Sequence, residues 1–296
     1  MSNPTTKRSF RISLNKLDLI LIGLLIAASI WLYGRIEYGM TYNWRWEQAF
    51  NTLFYSSHEG ATPYFIQGVI ATLRLSLWGI IFSAILGLLL ALARRSTNQL
   101  FTFPAQCYIQ LVRNIPPLVF VFIFYFFISS QLIPAIGLSD LLRNNQSING
   151  LQQFLFGERR LWENLISGVL CVGLISAAYI AEIIRSGIES IDKGQWEAAD
   201  SLGLSTIDKQ RFIILPQAFK ATLPPLAGQF ISLVKDSSII SLISIQELTF
   251  VGSEIANSSG LIFETWILVG LVYFVLCFSL SMLFRGLEKY NHKSER

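Results

Sequence analysis

The chain has 296 residues, of which 52% are hydrophobic and only 14% are charged, whereas about 25% of the residues in ordinary soluble domains are charged. Together with long charge-free runs, this composition excludes one large soluble domain and indicates an all-α integral membrane protein. The net charge of +4 indicates no particular class of partner by itself.

The first apolar run is Leu19–Gly34, and it follows a polar and basic segment, 1–16. Such a run is either a cleaved signal peptide or a retained membrane anchor. Trp31, Tyr33 and Arg35 at its end are typical of a membrane interface rather than of a small-residue cleavage site. We therefore predict a first span that stays in the protein.

Five further runs are apolar over about the 20 residues that a helix needs to cross a bilayer. In chain order they are Leu75–Ala93, Asn114–Ser139, Asn164–Ala181, Leu223–Ile245 and Thr265–Phe284. The sequence therefore predicts about six transmembrane helices, the fifth of which contains Lys235 and Asp236. The segment 131–161 carries one proline and three glycines, which predicts short turns and a surface helix.

Lysine and arginine are distributed unequally between the two sets of connecting segments. The predicted inner segments are 1–16, 94–104, 188–220 and 285–296, and the outer segments are 35–65, 131–161 and 244–260. The inner set holds fourteen of these basic residues and the outer set holds five. The positive-inside rule therefore predicts that both termini are cytoplasmic.

The inner segment 188–220 is predicted to contain two short helices. Trp196, Ala199 and Leu202 recur at three-residue spacing, so we expect them to share one face of the first helix. Gly203 follows, as a C-cap glycine does where the chain turns through a left-handed conformation. Five acidic against four basic residues in this segment argue against a nucleic-acid-binding helix–turn–helix, which requires net positive charge.

The second helix is predicted to start at Ser205, because Asp208 stands three residues later as in a weak capping box. Pro216 is expected to end this helix, and Pro224–Pro225 to set the entry to the fifth span. Two helices joined by a glycine form an angled unit that is too small to bury all its apolar residues. Those residues can pack on the membrane bundle or face a partner, and both interpretations remain open.

No catalytic or cofactor site is predicted. The pattern G-x-x-x-x-G-K-[ST] is absent, as is any Gly–Lys dipeptide, which excludes nucleotide binding by a P-loop. Cys107, Cys171 and Cys277 each lie alone in or beside apolar runs, and His58 and His292 have no neighbouring ligand set. We therefore expect no metal, no cofactor and a non-enzymatic subunit.

The motif E-A-A-x-x-x-G, at Glu197–Gly203, is followed by I-x-L-P at Ile213–Pro216. This pair of motifs resembles the cytoplasmic signature of permease subunits of binding-protein-dependent ATP-binding-cassette importers. Residues 179–248 resemble the polar amino-acid branch, and the likeness covers roughly residues 65–285. In that family the loop is a coupling helix that docks on a separate ATPase subunit. The resemblance assigns coupling to Trp196, Glu197, Ala198, Ala199, Gly203, Leu204 and Pro216.

The resemblance also implies a domain order and a set of partners. Residues 1–64 would form a cytoplasmic tail, the first span and an extracytoplasmic segment, 65–288 the permease domain, and 289–296 a cytoplasmic tail. We expect a bacterial cytoplasmic membrane protein, surrounded by lipid, that forms a dimer with itself or a related permease. ATPase subunits would bind inside, a solute-binding protein outside, and a polar amino acid would be carried. The alternative is a membrane receptor or scaffold whose loop holds a signalling partner.

Three groups of polar residues are candidates for the solute pathway. Lys235 and Asp236 either line the path or its gate, or form a structural pair or helix break. Glu182 and Arg185 either hold each other, or Glu182 meets the ammonium group of a passing amino acid. Asn114, before Pro116–Pro117, marks either a broken helix that offers backbone groups to the solute or a turn into the third span.

Overall fold

The computed structural model describes residues 16–39, 42–55, 61–135, 137 and 149–293. Within these ranges every regular element is a helix, which confirms the predicted fold class. Several predictions fall outside the described residues, namely the basic tail before Lys16, His58 and most of the segment 131–149 beyond Gly137.

Six helices in the described ranges are long and apolar enough to cross a membrane, as the sequence predicts. In chain order the helices are α1 (Lys16–Gly39), α2 (Trp46–Phe54), α3 (Tyr64–Arg94), α4 (Gln99–Asn114), α5 (Pro117–Ile123), α6 (Gly150–Phe156), α7 (Trp162–Glu189), α8 (Lys193–Ser201), α9 (Thr206–Asp208), α10 (Leu215–Asp236), α11 (Leu248–Ser259) and α12 (Ile262–Lys293). The six spans contain α1, α3, α5, α7, α10 and α12.

Irregular helical turns extend several of these elements. A π-helical stretch, Phe124–Leu132, continues α5, and another, Lys209–Ile214, joins α9 to α10. A 3-10 helix, Ser237–Ile243, follows α10, and a short one, Arg159–Leu161, precedes α7. The fourth and fifth spans therefore continue beyond their apolar runs.

The chain divides into two compact units, one up to Arg45 and one from Trp46 onward. In the first unit, α1 is apolar on all sides and its side chains are largely exposed, which is typical of a helix that is surrounded by lipid. The second unit begins with α2.

The second unit is built on α3 and α7, which pack closely because small residues line their contact. A Cβ atom added to Gly87 would lie 2.6 Å from Ile180 Cγ2, and one added to Gly173 would overlap the Phe82 ring. Such stripes let helix backbones approach each other in membranes. The main core cluster consists of Leu75, Val121, Phe124, Cys171, Val172, Ile175, Leu233, Ile240, Ile243 and Ile245.

Two helices that the sequence analysis treats as connecting segments pack on this bundle. Tyr108 of α4 donates a hydrogen bond to Leu174 O at 2.8 Å, and burial raises the pKa of this phenol, so the hydroxyl remains a donor. At the start of α11, the buried Glu247 accepts hydrogen bonds from Phe250 N–H at 2.8 Å and from the Tyr273 hydroxyl at 2.6 Å. α4 is thereby tied to α7, and α11 to α12.

Candidate functional site

The loop between α7 and α10 begins with α8, whose two ends are closed by local hydrogen bonds. At the N-terminus, Asp192 Oδ1 accepts a hydrogen bond from Gly194 N–H at 2.6 Å. After the C-terminus, Gly203 has φ +72°, the left-handed conformation that glycine adopts without steric cost. The predicted C-cap role of Gly203 is confirmed.

The turn at Gly203 is a Schellman motif. The N–H of Leu204 donates to Ala199 O at 3.2 Å, and the N–H of Gly203 donates to Asp200 O at 3.0 Å. This is the pattern that pairs the last carbonyl groups of a helix with the two residues that follow its cap. The turn fixes the angle between α8 and the segment that follows.

The next helix starts at the predicted place. The Ser205 hydroxyl accepts a hydrogen bond from Asp208 N–H at 3.2 Å and donates to Asp208 Oδ2 at 2.6 Å. Its predicted end at Pro216 is wrong, because the chain continues from Thr206 through the π-helical stretch into α10. Leu215 N–H bonds to Gln210 O, and this wider turn brings Pro216, which has no N–H, into the first turn of α10.

The prediction that Pro224–Pro225 mark the entry to the fifth span is also wrong. Both prolines lie inside α10 rather than before it. Within a membrane bundle, neighbouring groups can satisfy the carbonyl oxygens that a proline leaves free, so an interior proline is tolerated. The α-helix of the fifth span therefore begins at Leu215 and not near Leu223.

Side-chain contacts hold α8 against the π-helical stretch. Lys209 Nζ lies 2.5 Å from Asp200 Oδ1 and 5.8 Å from the centre of the Trp196 ring. Gln217 Nε2 donates to Gln195 Oε1 at 3.1 Å. α8 is thus linked both to the π-helical stretch and to the start of α10.

The loop is anchored to the ends of two spans. Ile188 of α7 packs with Ile214 and Ala218 in a buried cluster. At Gly187 an added Cβ atom would overlap Thr222 Cγ2 and lie 3.3 Å from Ala218 O. A displacement of the loop must therefore displace the ends of α7 and α10 as well.

The opposite surface of the loop is exposed. Glu197 and Ala198 face solvent, and the side chain of Leu202 is 75% exposed whereas Ala199 is buried. The predicted shared face of Trp196, Ala199 and Leu202 is wrong at Leu202, because α8 ends at Ser201 and Leu202 caps it. One face of the loop therefore packs on the bundle, as the first interpretation predicts, and the other face is exposed.

A cluster of charged side chains lies near the same end of the bundle. Glu182 Oε2 contacts Arg94 Nη1 at 2.6 Å and Arg113 Nη1 at 3.4 Å, and Glu182 Oε1 contacts Arg185 Nη2 at 2.5 Å. Arg185 also pairs with Glu189. The carboxylate of Glu182 therefore joins α3, α4 and α7 through three guanidinium groups.

The contacts of Glu182 favour the structural interpretation of its pair with Arg185. Three guanidinium groups already occupy the carboxylate, which leaves little room for a solute ammonium group. A cavity of about 320 Å³ next to the cluster is lined by Arg113, Tyr179, Glu182 and Gln229 among others. Arg94 and Arg113 were not candidates in the sequence analysis, since nothing in the local pattern links them to a residue in α7.

The remaining pathway candidates lie at breaks in helices. Asn114 is the last residue of α4, and its Nδ2 donates to Gln110 O at 2.7 Å. Since α5 begins at Pro117, the two prolines form a turn into the third span. Asn114 is not among the residues that line the cavity beside Glu182.

Lys235 and Asp236 end α10, where the helix narrows into the 3-10 turns that start at Ser237. Lys235 is exposed and Asp236 is half-buried. Within the described residues, no ion pair joins these two side chains. Their geometry is that of a helix break, and neither lines the cavity beside Glu182.

Residues 79–290 match the family described as binding-protein-dependent transport system inner membrane component. The chain belongs to this family. Its members are multi-pass membrane components of transport systems, which confirms the resemblance drawn from the loop motifs and gives no support to the receptor or scaffold alternative.

The chain is also similar to curated permeases. It is 35% identical over 250 residues to the probable amino-acid ABC transporter permease protein YckA of Bacillus subtilis, covering 84% of this chain and 97% of that protein. It is 31% identical over 235 residues to the glutamate/aspartate import permease protein GltK of Escherichia coli, covering 79% of this chain and 96% of that protein.

Two solved structures share the fold. A crystal structure of an amino acid ABC transporter with histidines matches with a TM-score of 0.63 and 32% identity, over 77% of this chain and 94% of that one. The MetNI methionine ABC transporter in an inward-facing conformation matches with a TM-score of 0.53 and 16% identity, over 75% of this chain and 95% of that one. This second match is a likeness of fold alone.

Proposed function

We propose that this protein is the permease subunit of an ATP-driven importer, and that the loop 190–214 couples it to a separate ATPase subunit. The observation that carries the proposal is the two-sided geometry of the loop. Ile214 and Gly187 lock one side to α7 and α10, while Glu197, Ala198 and Leu202 are exposed on the other.

This geometry suits the transmission of force. A partner that pushes on the exposed face moves a unit that the Schellman turn at Gly203 and the Lys209–Asp200 ion pair keep rigid. Because the unit is packed on two spans, its motion becomes a rigid-body motion of α7 and α10, the kind of motion that alternating access requires. The chain itself needs no nucleotide site or cofactor, since the partner would hydrolyse ATP.

The proposed function also predicts the orientation of the protein in the membrane and its assembly with a second permease. The loop would lie in the cytoplasm, with both termini inside, as the positive-inside rule predicts. α6 and the segment before α3 would face the outside, where a solute-binding protein would release its solute to the permease. One chain would supply half of the pathway, and a second copy or a related permease the other half, in the bacterial inner membrane.

The proposed solute is a polar amino acid. The support is the set of names that similar proteins carry: glutamate and aspartate for GltK, glutamine for GlnP of Escherichia coli and arginine for ArtQ of Bacillus subtilis. These names differ among relatives of similar identity, so the proposal stops at the class of solute.

The test is ATP-driven uptake by proteoliposomes that contain the permease with its ATPase, in the presence of the binding protein. Glu197→Lys places the wrong charge on the exposed docking face and should abolish uptake and release the ATPase from the membrane. Glu47→Lys makes the same charge change on an exposed residue of α2 and should leave the ATPase bound. Full uptake by the Glu197→Lys variant would overturn the coupling role of the loop.

A further inference from the structure

Arg74 carries a charge within a membrane-spanning helix at the end opposite the loop. It stands ten residues after the start of α3 at Tyr64, which is about 15 Å along the helix axis. It is half-buried, and no carboxylate among the described residues lies within ion-pair distance of it. Arg74 immediately precedes the apolar run Leu75–Ala93, so it lies at the outer edge of the membrane-spanning part of α3, where a solute from outside can reach it.

Backbone carbonyl groups hold this guanidinium in a fixed orientation. Arg74 Nε donates to Phe154 O at 2.7 Å, and Nη2 donates to Gln153 O at 3.0 Å. These carbonyls are at the C-terminal end of α6, where a helix favours positive charge. Trp78 Nε1 donates to the neighbouring Leu155 O at 3.1 Å, so α6 is attached to α3 at three successive carbonyl groups.

The carbonyl contacts use only part of the donor capacity of Arg74. Of its five N–H groups, two are engaged, and Nη1 donates to no group in the described part of the chain. Nη1 packs against Gly157, where an added Cβ atom would lie only 2.8 Å away. Because Gly157 has no side chain, it leaves space for the guanidinium and for a ligand that binds the unused N–H groups.

Arg74 lines a cavity of about 350 Å³, within the range of about 300–1,000 Å³ for small-ligand sites. Amide side chains of Gln67, Gln153 and Gln246 share the wall, and Glu158 contributes a carboxylate. Glu158 is exposed, and among the described residues its ion-pair partner is the exposed Arg160, at 2.5 Å. Such exposed pairs are worth little, so this carboxylate can exchange its partner.

We infer that this cavity is a binding subsite for an amino acid at the outer mouth of the pathway. The free N–H groups of Arg74 bind the α-carboxylate, because a guanidinium fixed in place forms strong, directed hydrogen bonds with carboxylates. The carboxylate of Glu158 and the side-chain amide oxygens of the glutamines accept hydrogen bonds from the ammonium group of the amino acid. The inference rests on the proposed transport function and adds to it a receiving site distinct from the cluster around Glu182.

The experiment measures ligand binding to the permease–ATPase complex in phosphatidylcholine nanodiscs, without the binding protein. The probe is an equimolar mixture of the common L-amino acids and L-cystine with isotopic label, and bound species are quantified by mass spectrometry. The wild-type complex should retain one or a few amino acids, and Arg74→Gln should reduce their affinity by about tenfold or more. The methyl ester of a retained amino acid should compete at least about tenfold less well than the acid.

Matched variants separate binding from folding. Arg285→Gln removes an exposed arginine of α12 and should bind normally. If Arg74→Gln does not assemble, as judged by size exclusion, Arg74→Lys is measured instead, since lysine keeps the charge but lacks the planar fork of donors, and it should also weaken binding. Unchanged binding by an assembled Arg74→Gln complex, no retained amino acid in the wild type, or equal competition by the ester would overturn the subsite.

The same measurements distinguish an amino-acid subsite from a lipid-binding site and from a failure of the proposed function. If Arg74 instead retains phosphatidylglycerol from mixed-lipid nanodiscs, and amino-acid binding does not depend on Arg74, the ligand is a lipid headgroup and the inference is wrong. If the wild-type proteoliposomes transport nothing, the proposed function itself fails. Normal uptake by the wild type with unaltered binding in Arg74→Gln contradicts only the subsite.

Discussion

Removal of the carboxylate of Glu182 should destabilise the loop end of the bundle more than any other single charge change there. The substitution Glu182→Gln keeps the size of the side chain and removes its charge. Three guanidinium groups, from Arg94, Arg113 and Arg185, then lose their common counter-ion. Among the described ion pairs of the three arginines, the one that remains is that of Arg185 with Glu189.

The magnitude follows from the geometry of the cluster. Glu182 is 19% exposed and makes two contacts of 2.6 Å or less, to Arg94 and Arg185. Hydrogen bonds to charged groups contribute about 1.5–3 kcal/mol each, and loss of one partner of a buried pair costs about 3–5 kcal/mol. Since the cluster is only partly buried, we expect a loss of about 3 kcal/mol, which corresponds to a fall in Tm of about 6 °C or more.

The assay is thermal unfolding of the purified protein in detergent, followed by loss of tertiary structure. The matched control is Glu189→Gln, because Glu189 is 59% exposed and contacts only Arg185 in the cluster, so its loss should cost no more than about 1 kcal/mol. Equal Tm values for the two variants would refute the view that Glu182 joins three helices.

Three further predictions concern the loop and its anchor. In the same unfolding assay, Gly187→Ala should lower the free energy of unfolding by about 1–3 kcal/mol, because the added methyl group overpacks α7 against α10. Gly228→Ala is the control, since its methyl group meets open space, and it should be neutral or stabilising. Equal effects of the two substitutions would contradict the packing of α7 on α10. Gly203→Ala should reduce uptake more than Gly203→Asn, since asparagine tolerates a positive φ better than alanine, and equal uptake would count against the turn. Lys209→Met should weaken ATPase binding by about two- to fivefold in a pull-down titration, while Lys193→Met, at an exposed position of α8, should not.

Local chemistry explains which parts of the site were predictable. Gly203 and Ser205 are determined by hydrogen bonds to residues at most five positions away, so a short motif contains the whole signal. The six spans are likewise a matter of length and apolar content. Both kinds of feature were correctly predicted from the sequence.

Features that depend on distant partners were not predictable. Arg94 and Glu182 are 88 residues apart in the chain, and no local pattern connects them. The continuation of the helix through Pro216 depends on a π-helical turn whose packing on α7 involves Ile214. α11 begins at a carboxylate, Glu247, that is stabilised by contacts from a later helix. In each case tertiary contacts override the local preference.

The central claim, that the loop is the contact with the ATPase, is tested most directly by cross-linking. Ala198 is exposed and can be replaced by cysteine in a chain whose three native cysteines are changed to alanine. In membranes that contain the assembled complex, a short bifunctional reagent should join Ala198→Cys to the ATPase subunit and stop uptake. Labelling of this cysteine only from the outer side of the membrane, or the absence of any adduct with the ATPase, would contradict the account.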